Sequence, residues 1–375
     1  MNVLVLGYGQ MGRRIAQAMD FFGHNIVAAD CKCPDNLEYD FIDTESKNWQ
    51  KQILDTKPDI CISALPYHAN EQYARFCIDN QIDYIDLGGS VEVSQAIHQY
   101  KRDNDRLKKP KGGRVFTDLG LAPGFVNILA QSYIDRGCDT IEMAVGGLPK
   151  YPHPQDVLKY TPTWSVEGLL NEYTEWCRII KDGEIKFVDA MSVLNSYDLI
   201  QSDDVNGRHI VPAEKFYTSG GTGHIESVLK QGVKNYSYKT IRYGGHANAI
   251  SQILRGEPTV EQLSSIFNQY DKDVVFIELS GAFDNGRYPG PNLSISITSQ
   301  DDSTAMADAT ALPCAAVAHL MLTDDFPIGV LDYSCINYEK FDEVTHQLFQ
   351  KYKTMIDLVG FDYRCSSKSC SGGCG

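Results

Sequence analysis

The 375-residue sequence predicts an α/β protein: a doubly wound parallel sheet into which an α+β segment on a largely antiparallel sheet is inserted. Three observations predict it. An apolar strand at the start runs into a glycine-rich turn and then a helix. Strand and helix signals alternate through the first third. After a middle section with strand periodicity, helical runs return from Ala305.

The opening element is the most specific. Val3, Leu4, Val5 and Leu6 form a strand that enters Gly7-Tyr8-Gly9-Gln10-Met11-Gly12, and Met11, Ile15, Ala18, Met19 and Phe22 then recur at helical spacing up to a C-capping Gly23. Each glycine has its own task in a Rossmann dinucleotide site. Gly7 permits the tight strand-to-helix turn, Gly9 lets backbone approach a pyrophosphate, and Gly12 allows close packing of helix on strand. A second strand, Asn25 to Ala29, delivers Asp30, an acidic side chain placed to accept from ribose hydroxyls and to repel a 2′-phosphate. The expected cofactor is NAD rather than NADP; the plainer reading of Asp30 is a residue that merely ends a strand.

A helix at Asn48–Thr56, a strand at Asp59–Ala64, a helix at His68–Asn80, a strand at Asp83–Leu87, a helix from Val91 to about Leu107 and a strand at Arg114–Thr117 continue the βαβ rhythm. In such sheets ligands bind beyond the carboxyl ends of the strands, so Leu65, Pro66, His68, Asp86, Gly88 and Asp118 are expected at one crevice with the glycine turn. For His68, packing or capping at its helix start is the alternative. After Gly124 come strand-like runs at Thr140–Val145, Ile185–Val188, Val274–Leu279 and Leu293–Ile297, the last two joined by a hairpin turn at Gly286–Pro291. Helices at Ala307–Leu322 and from Tyr338 to about Val359 need an apolar partner, and the first sheet is the economical one. The expected division is residues 1–124 plus 305–360 as a discontinuous nucleotide-binding domain, 125–304 as a substrate and dimerisation domain, and 361–375 as a disordered tail.

Composition narrows the partners. A formal charge of −15 argues against nucleic acid or an anionic membrane, which both require a basic face. The opening apolar run is short for a signal-peptide core, and no long uncharged stretch suggests a membrane span, so a cytoplasmic location is expected. Of the 11 cysteines, Cys365, Cys370 and Cys374 sit in a Ser/Gly/Lys tail and the others are scattered without metal-ligand spacing; no metal site is expected.

Three further segments carry a resemblance. They are Asp118-Leu119-Gly120-Leu121-Ala122-Pro123-Gly124-Phe125-Val126-Asn127; Gly146-Gly147-Leu148-Pro149 leading to Tyr160-Thr161-Pro162-Thr163-Trp164-Ser165-Val166-Glu167-Gly168; and Lys239-Thr240-Ile241-Arg242-Tyr243-Gly244-Gly245-His246. In this order they resemble the saccharopine dehydrogenase family, most of all its L-lysine 6-dehydrogenase-like branch, from Met1 to about Gly360. Relatives usually read Arg-Tyr-Pro-Gly-His where this chain has Gly244. The resemblance implies a Rossmann domain with an inserted substrate domain and NAD(P)-linked oxidation of a C–N bond in an amino acid, or the reverse reductive step.

Amine oxidation needs a neutral nitrogen, a C–H bond aimed at the nicotinamide, and a place for a proton. Arg242 is the candidate for a substrate carboxylate, since its planar fork matches two oxygens and stays charged; a structural ion pair is the alternative. Tyr243 is grouped with it as substrate-binding. His246, four residues on, is the candidate proton shuttle, or else a hydrogen-bonded structural histidine. Asp118 and Glu167 are candidates for meeting a substrate ammonium or orienting water, Glu167 having helix capping as its alternative. Trp164 offers an apolar wall for a methylene chain, or a plain core tryptophan. The competing expectations are a saccharopine- or carboxyspermidine-type reductase that joins an amino acid to an aldehyde, which calls for a second carboxylate anchor such as Arg178 or Arg208, and a non-catalytic NAD-binding sensor. An apolar face of the second sheet makes a homo-oligomer, in its simplest form a homodimer, the expected assembly.

Overall fold

The structure is a computed structural model and describes residues 1–34, 37–108, 113–162, 165–203, 207–300 and 303–362. Trp164 and the tail cysteines lie outside them. The first sheet contains β1 (Asn2–Leu6), β2 (Asn25–Asp30), β3 (Asp40–Asp43), β4 (Ile60–Ser63), β5 (Asp83–Asp86) and β6 (Val115–Phe116) in the order β3-β2-β1-β4-β5-β6, all parallel. That is the doubly wound Rossmann order, with its switch point between β1 and β4. Helices α1 (Gln10–Phe21), α2 (Trp49–Asp55), α3 (Tyr67–Asp79) and α4 (Val91–Lys108) make the crossovers. The strands are buried on both faces, which is why they read as continuous apolar runs rather than alternating ones.

The chain then passes through α5 (Phe125–Asp135) into a mixed sheet. Its members are β7 (Thr140–Pro149), β8 (Cys177–Lys181), β9 (Glu184–Val188), β10 (Asn195–Asp203), β11 (Gly207–Tyr217), β12 (Asn235–Tyr243), β13 (Asp273–Phe283), β14 (Tyr288–Ser299) and β15 (Thr354–Asp362). The main path runs β10-β11-β12-β7-β13-β14-β15, with β8 and β9 branching from β12; the β7–β12 pair is parallel and the other pairs are antiparallel. Helices α6 (Val166–Thr174), α7 (Ile225–Lys230), α8 (His246–Leu254) and α9 (Val260–Ser265) lie among these strands. The β13–β14 turn falls one step earlier than expected. Asp284, Asn285 and Gly286 take left-handed backbone, and Pro289–Pro291 already belong to β14.

Two helices close the molecule: α10 (Ala305–Thr323) and α11 (Tyr338–Lys351). The expected helix from Tyr338 to about Val359 is corrected here. It ends at Lys351, Lys353 turns left-handed, and residues 354–362 become β15 on the edge of the second sheet, paired with β14. Met355, Ile356 and Val359 fit either period, and the pairing available along β14 decides between them.

Helix α10 is buried on almost every side. It is long and apolar enough, by length and composition, to cross a membrane, yet 83% of that stretch is buried inside the protein. Its N-terminus is tied to the second sheet, because the Asp273 carboxylate at the start of β13 accepts the Ala305 and Met306 N–H groups at 2.7 and 2.8 Å. One turn on, Asp308 is fully buried; it accepts from Arg14 Nε of α1 at 2.7 Å and from the Thr354 hydroxyl of β15 at 2.8 Å. Arg14 also lies 4.4 Å from the centre of the Tyr352 ring. The helix is therefore pinned to both sheets at one carboxylate.

Replacing that carboxylate by Asp308→Ala removes the acceptor of the buried Arg14 Nε–H and of the Thr354 hydroxyl, and the expected loss of unfolding free energy is about 3–5 kcal/mol in urea titrations followed by circular dichroism. A loss under about 1 kcal/mol would show that the pair does not hold the helix.

Candidate active site

A cavity of about 1400 Å³ opens where the carboxyl ends of the first sheet face the second sheet and α6. The glycine turn contributes Gly9, Gln10 and Met11; β4 and β5 contribute Leu65, Pro66 and Gly88; the segment after β6 contributes Asp118 and Pro123; and β12 contributes Tyr238, Thr240 and Arg242. The strand ends converge here because a doubly wound sheet leaves its open crevice beyond the carboxyl termini at the switch point.

The glycine turn fits a dinucleotide. Gly7 has φ +81°, and a Cβ on Gly12 would stand 1.7 Å from the Gly7 carbonyl oxygen, so both positions are closed to larger residues. A Cβ on Gly9 would meet nothing within 4 Å, and Gly9 borders the cavity as the N-cap of α1, with no side-chain cap and no acid in the first turn. Its neighbouring N–H groups are available to phosphate oxygens. Asp30, at the end of β2, accepts the Tyr8 N–H and the Cys31 N–H, each at 2.6 Å, which fixes its carboxylate against the same turn. Asp86 lies buried beneath the crevice and accepts the Gly88 and Asp118 N–H groups at 2.9 and 3.1 Å. Burial, and secondly the charge of Asp118, lifts its carboxyl to about 7. His68 does not join this group. The helix starts at Tyr67, which borders the cavity, whereas His68 is exposed on the outside of the first turn.

The Arg242 region separates two expectations. Along β12, side chains alternate between faces, so Tyr238, Thr240 and Arg242 border the cavity while Ile241 and Tyr243 enter the core behind the sheet. Tyr243 donates its hydroxyl to the Pro149 carbonyl at 2.7 Å and is a core residue, which corrects its reading as substrate-binding. Arg242 is buried, with its guanidinium carbon 4.1 Å from the Tyr160 ring centre. Its Nε donates to the Tyr173 hydroxyl at 2.9 Å and its Nη1 to the Ile241 carbonyl at 3.0 Å. Tyr173 passes the direction on by donating to His246 Nε2 at 3.0 Å, and His246 Nδ1–H donates to the Leu158 carbonyl at 2.8 Å. Every proton in this line is assigned by its acceptor, so the imidazole is neutral. Burial first, and the Arg242 charge second, depress His246 to about 3. It stands behind Tyr173, away from the cavity wall, and orients Arg242 instead of shuttling protons near neutral pH.

Glu167 is displaced in the same way. Ser165 is the N-cap of α6 and accepts the Gly168 N–H at 3.2 Å, so Glu167 occupies the first turn on the exposed side, beside the Tyr67 hydroxyl at 3.4 Å. The helix turns Gly168, Asn171, Glu172 and Glu175 toward the cavity. Glu172 is the acid beside Arg242, and burial lifts its carboxyl to about 7 against the opposing guanidinium charge. Sequence reasoning missed Glu172, although the polar stripe at 168, 171, 172 and 175 was a helical signal. It also missed Tyr160, Tyr173, His98 and His224. Of the two proposed second anchors, Arg178 borders the cavity and is paired with Glu226, whereas Arg208 bonds the Leu358 carbonyl at 3.0 Å far from it.

A doubly wound sheet with a glycine turn at its switch point, facing a second sheet across a cavity lined by titratable groups, defines the class: a Rossmann-type fold with a second, mixed-sheet domain. Residues 120–256 match the family model described as saccharopine dehydrogenase C-terminal domain. Over 214 residues it is 27% identical to the mitochondrial alpha-aminoadipic semialdehyde synthase of Rattus norvegicus and 25% identical to that of Mus musculus. Each match covers 54% of this chain and 22% of the relative, so the chain spans only about a fifth of those proteins' length. The apo saccharopine dehydrogenase (L-Glu forming) of Saccharomyces cerevisiae shares the fold, with a TM-score of 0.65 at 16% identity over 96% of this chain and 100% of that one.

The Glu172 carboxyl gives a test of this electrostatic picture. Its pKa in the folded protein, about 7, lies above the ordinary 4.5, so the folded state binds the extra proton and stability falls as pH rises from about 4.5 to 7. The variant Glu172→Gln is expected to lose less stability across that window than the parent protein in paired thermal unfolding series; identical pH slopes would refute the raised carboxyl.

Proposed function

We propose that this chain is an NAD-dependent oxidoreductase that oxidises the C–N bond of an amino acid, with L-lysine attacked at its terminal carbon as in an L-lysine 6-dehydrogenase. The carrying observation is a buried guanidinium, oriented by Tyr173 and His246, in the same cavity as the dinucleotide turn. Arg242 Nη2 has no hydrogen bond among the described residues, which suits a carboxylate of the substrate. Glu172 and Asp118 border the same space, and their raised carboxyls suit the acceptance of a proton from an ammonium group. When bound, the nicotinamide takes up the hydride from the substrate carbon. The residues of the chain hold the carboxylate, neutralise the amine and remove the proton. Asp30 supports NAD over NADP, since its carboxylate at the end of β2 repels a 2′-phosphate.

A second reading, the reductive joining of an amino acid to an aldehyde, is favoured by one observation: Arg178 borders the cavity as a second guanidinium. The relatives named for saccharopine and for aminoadipic semialdehyde point toward the same chemistry. The two readings separate on substrate panels. Formation of reduced nicotinamide from NAD with L-lysine at alkaline pH supports the first, and consumption of reduced cofactor only with amino acid and aldehyde pairs supports the second. No turnover in either direction, with NAD still raising Tm, would favour a sensor.

Arg242→Ala is expected to lower kcat/KM for the amino acid about 10- to 100-fold while NAD still raises Tm, because a charged hydrogen bond to the carboxylate is lost. Unchanged kinetics would remove Arg242 from substrate binding. Asp30→Ala is expected to narrow the ratio of kcat/KM for NAD over NADP about tenfold; an unaltered ratio would leave Asp30 a strand-end residue.

A further inference from the structure

A second polar cluster adjoins the cavity beyond Asp118. That residue is held in left-handed backbone at φ +64°, with its N–H on Asp86 and its carbonyl accepting the Tyr333 hydroxyl at 2.7 Å. Its Oδ1 accepts the Ser94 hydroxyl at 2.9 Å, and its Oδ2 accepts the Thr117 hydroxyl at 3.2 Å. Thr117 is fully buried, and the same oxygen lies 2.8 Å from His98 Nε2. His98 is half-buried on α4 and borders an arm of the cavity that runs past Gln99, Arg102, Ser227, Lys230 and Asp332. A buried threonine hydroxyl commonly returns to a backbone carbonyl of its own segment. Here it stands between a carboxylate and an imidazole.

We propose that Thr117 and His98 carry protons between Asp118 and the polar arm, along the line Asp118 Oδ2, Thr117 Oγ1, His98 Nε2. The proposal rests on the amine-oxidising reading above. In that reaction the substrate C–H bond breaks and its electron pair leaves as hydride to the nicotinamide, which is reduced. The nitrogen lone pair closes the C=N bond, so the amine is oxidised, and the resulting iminium gives its N–H proton to the Asp118 carboxylate. With Asp118 neutral, its Oδ2–H donates to Thr117 Oγ1, the threonine hydroxyl turns to a bare Nε2 of His98 in its Nδ1–H tautomer, and each proton shifts one place along the line. His98 then releases its Nδ1 proton to water in the arm, which leaves Nε2–H donating to Thr117 and the threonine donating to the Asp118 carboxylate as in the structure, and exchange of the ring protons with that water restores the Nδ1–H tautomer for the next turnover. A substrate and cofactor seated over Asp118 exclude water from that face, so a route through the wall relieves the acid without opening the site.

The neighbouring groups agree with transit rather than storage. His224 stacks on His98 with ring centres 5.2 Å apart, and its Nε2–H is committed to the Thr117 carbonyl at 3.0 Å. His98 therefore faces His224 and Arg102, which oppose its charge, and Asp332, which favours it; with burial as the largest influence it is held at about 3. Asp118 faces Asp86, His224 and Arg178, and burial raises its carboxyl. A proton that reaches His98 is therefore given up to bulk water at neutral pH.

The test has two readouts on the full chain. The first does not need turnover: in 15N-histidine and 13C-aspartate NMR, Thr117→Val is expected to shift His98 Nε2 and the Asp118 titration together, while His319 resonances stay in place. If both signals remain where they were, the hydrogen-bonded line does not exist and the proposal falls, whatever the enzyme does. The second uses any amine the parent protein oxidises. Thr117→Val and His98→Ala are expected to lower kcat about 10- to 100-fold with KM nearly unchanged, to enlarge the solvent deuterium isotope effect, and, for His98→Ala, to recover with added imidazole. Folded variants with kcat within twofold of the parent, or a loss in His98→Ala that added imidazole does not relieve, would overturn the relay. A parent protein that oxidises no amine refutes the functional reading instead, and the NMR outcome still decides the hydrogen-bonded line.

Discussion

The structure depends on a buried carboxylate. Helix α10 is nearly as apolar on one side as on another, so hydrophobic burial alone leaves its rotation and depth poorly determined. Asp308 removes that freedom, because a charge with no exposed surface is tolerable only where Arg14 and Thr354 meet it. Those partners belong to the first helix of one sheet and the last strand of the other. The helix so fixed presents Met306 and Thr310 to the cavity, and its N-terminus is anchored by Asp273 to β13. The gap between the two sheets is the space left once this helix is in place.

Within that gap the two ends differ in kind. At the second sheet, the donors run one way, from Arg242 through Tyr173 and His246 to the Leu158 carbonyl, so the guanidinium is held in a single orientation. A charged guanidinium held in this way suits an anion. At the first sheet, Asp86 and Asp118 share a buried region with Ser94, Thr117 and two stacked imidazoles, and burial opposes ionisation of both carboxyls. Arg242, Glu172 and Asp118 thus border one cavity together with the glycine turn.

Much of the first sheet could be read from residues because its signals are local. Gly7, Gly9 and Gly12 act through backbone atoms within one turn, and the order of strand, turn and helix is enough to identify them. Arg242 was legible as a cation among family motifs. Its neighbours were not, because a strand sends Arg242 and Tyr243 to opposite faces and a helix sends Glu167 and Glu172 to different sides. Which face meets the cavity is set by the partner element. His246 was misread for a related reason: its spacing from Arg242 was right, but Tyr173 comes between them from a helix more than 70 residues earlier.

The sequence by itself determined the parallel sheet and the glycine-rich turn from its first strand into its first helix, since these follow from local backbone preference and hydrophobic period. Tertiary structure alone decided the phase of α6, the fate of residues 354–362 as β15, the neutral state of His246 and the raised carboxyls of Glu172 and Asp86. Proton affinity and strand pairing depend on what lies opposite in space. Burial and charge at those positions are supplied by segments distant in the chain, and no single stretch of residues contains them.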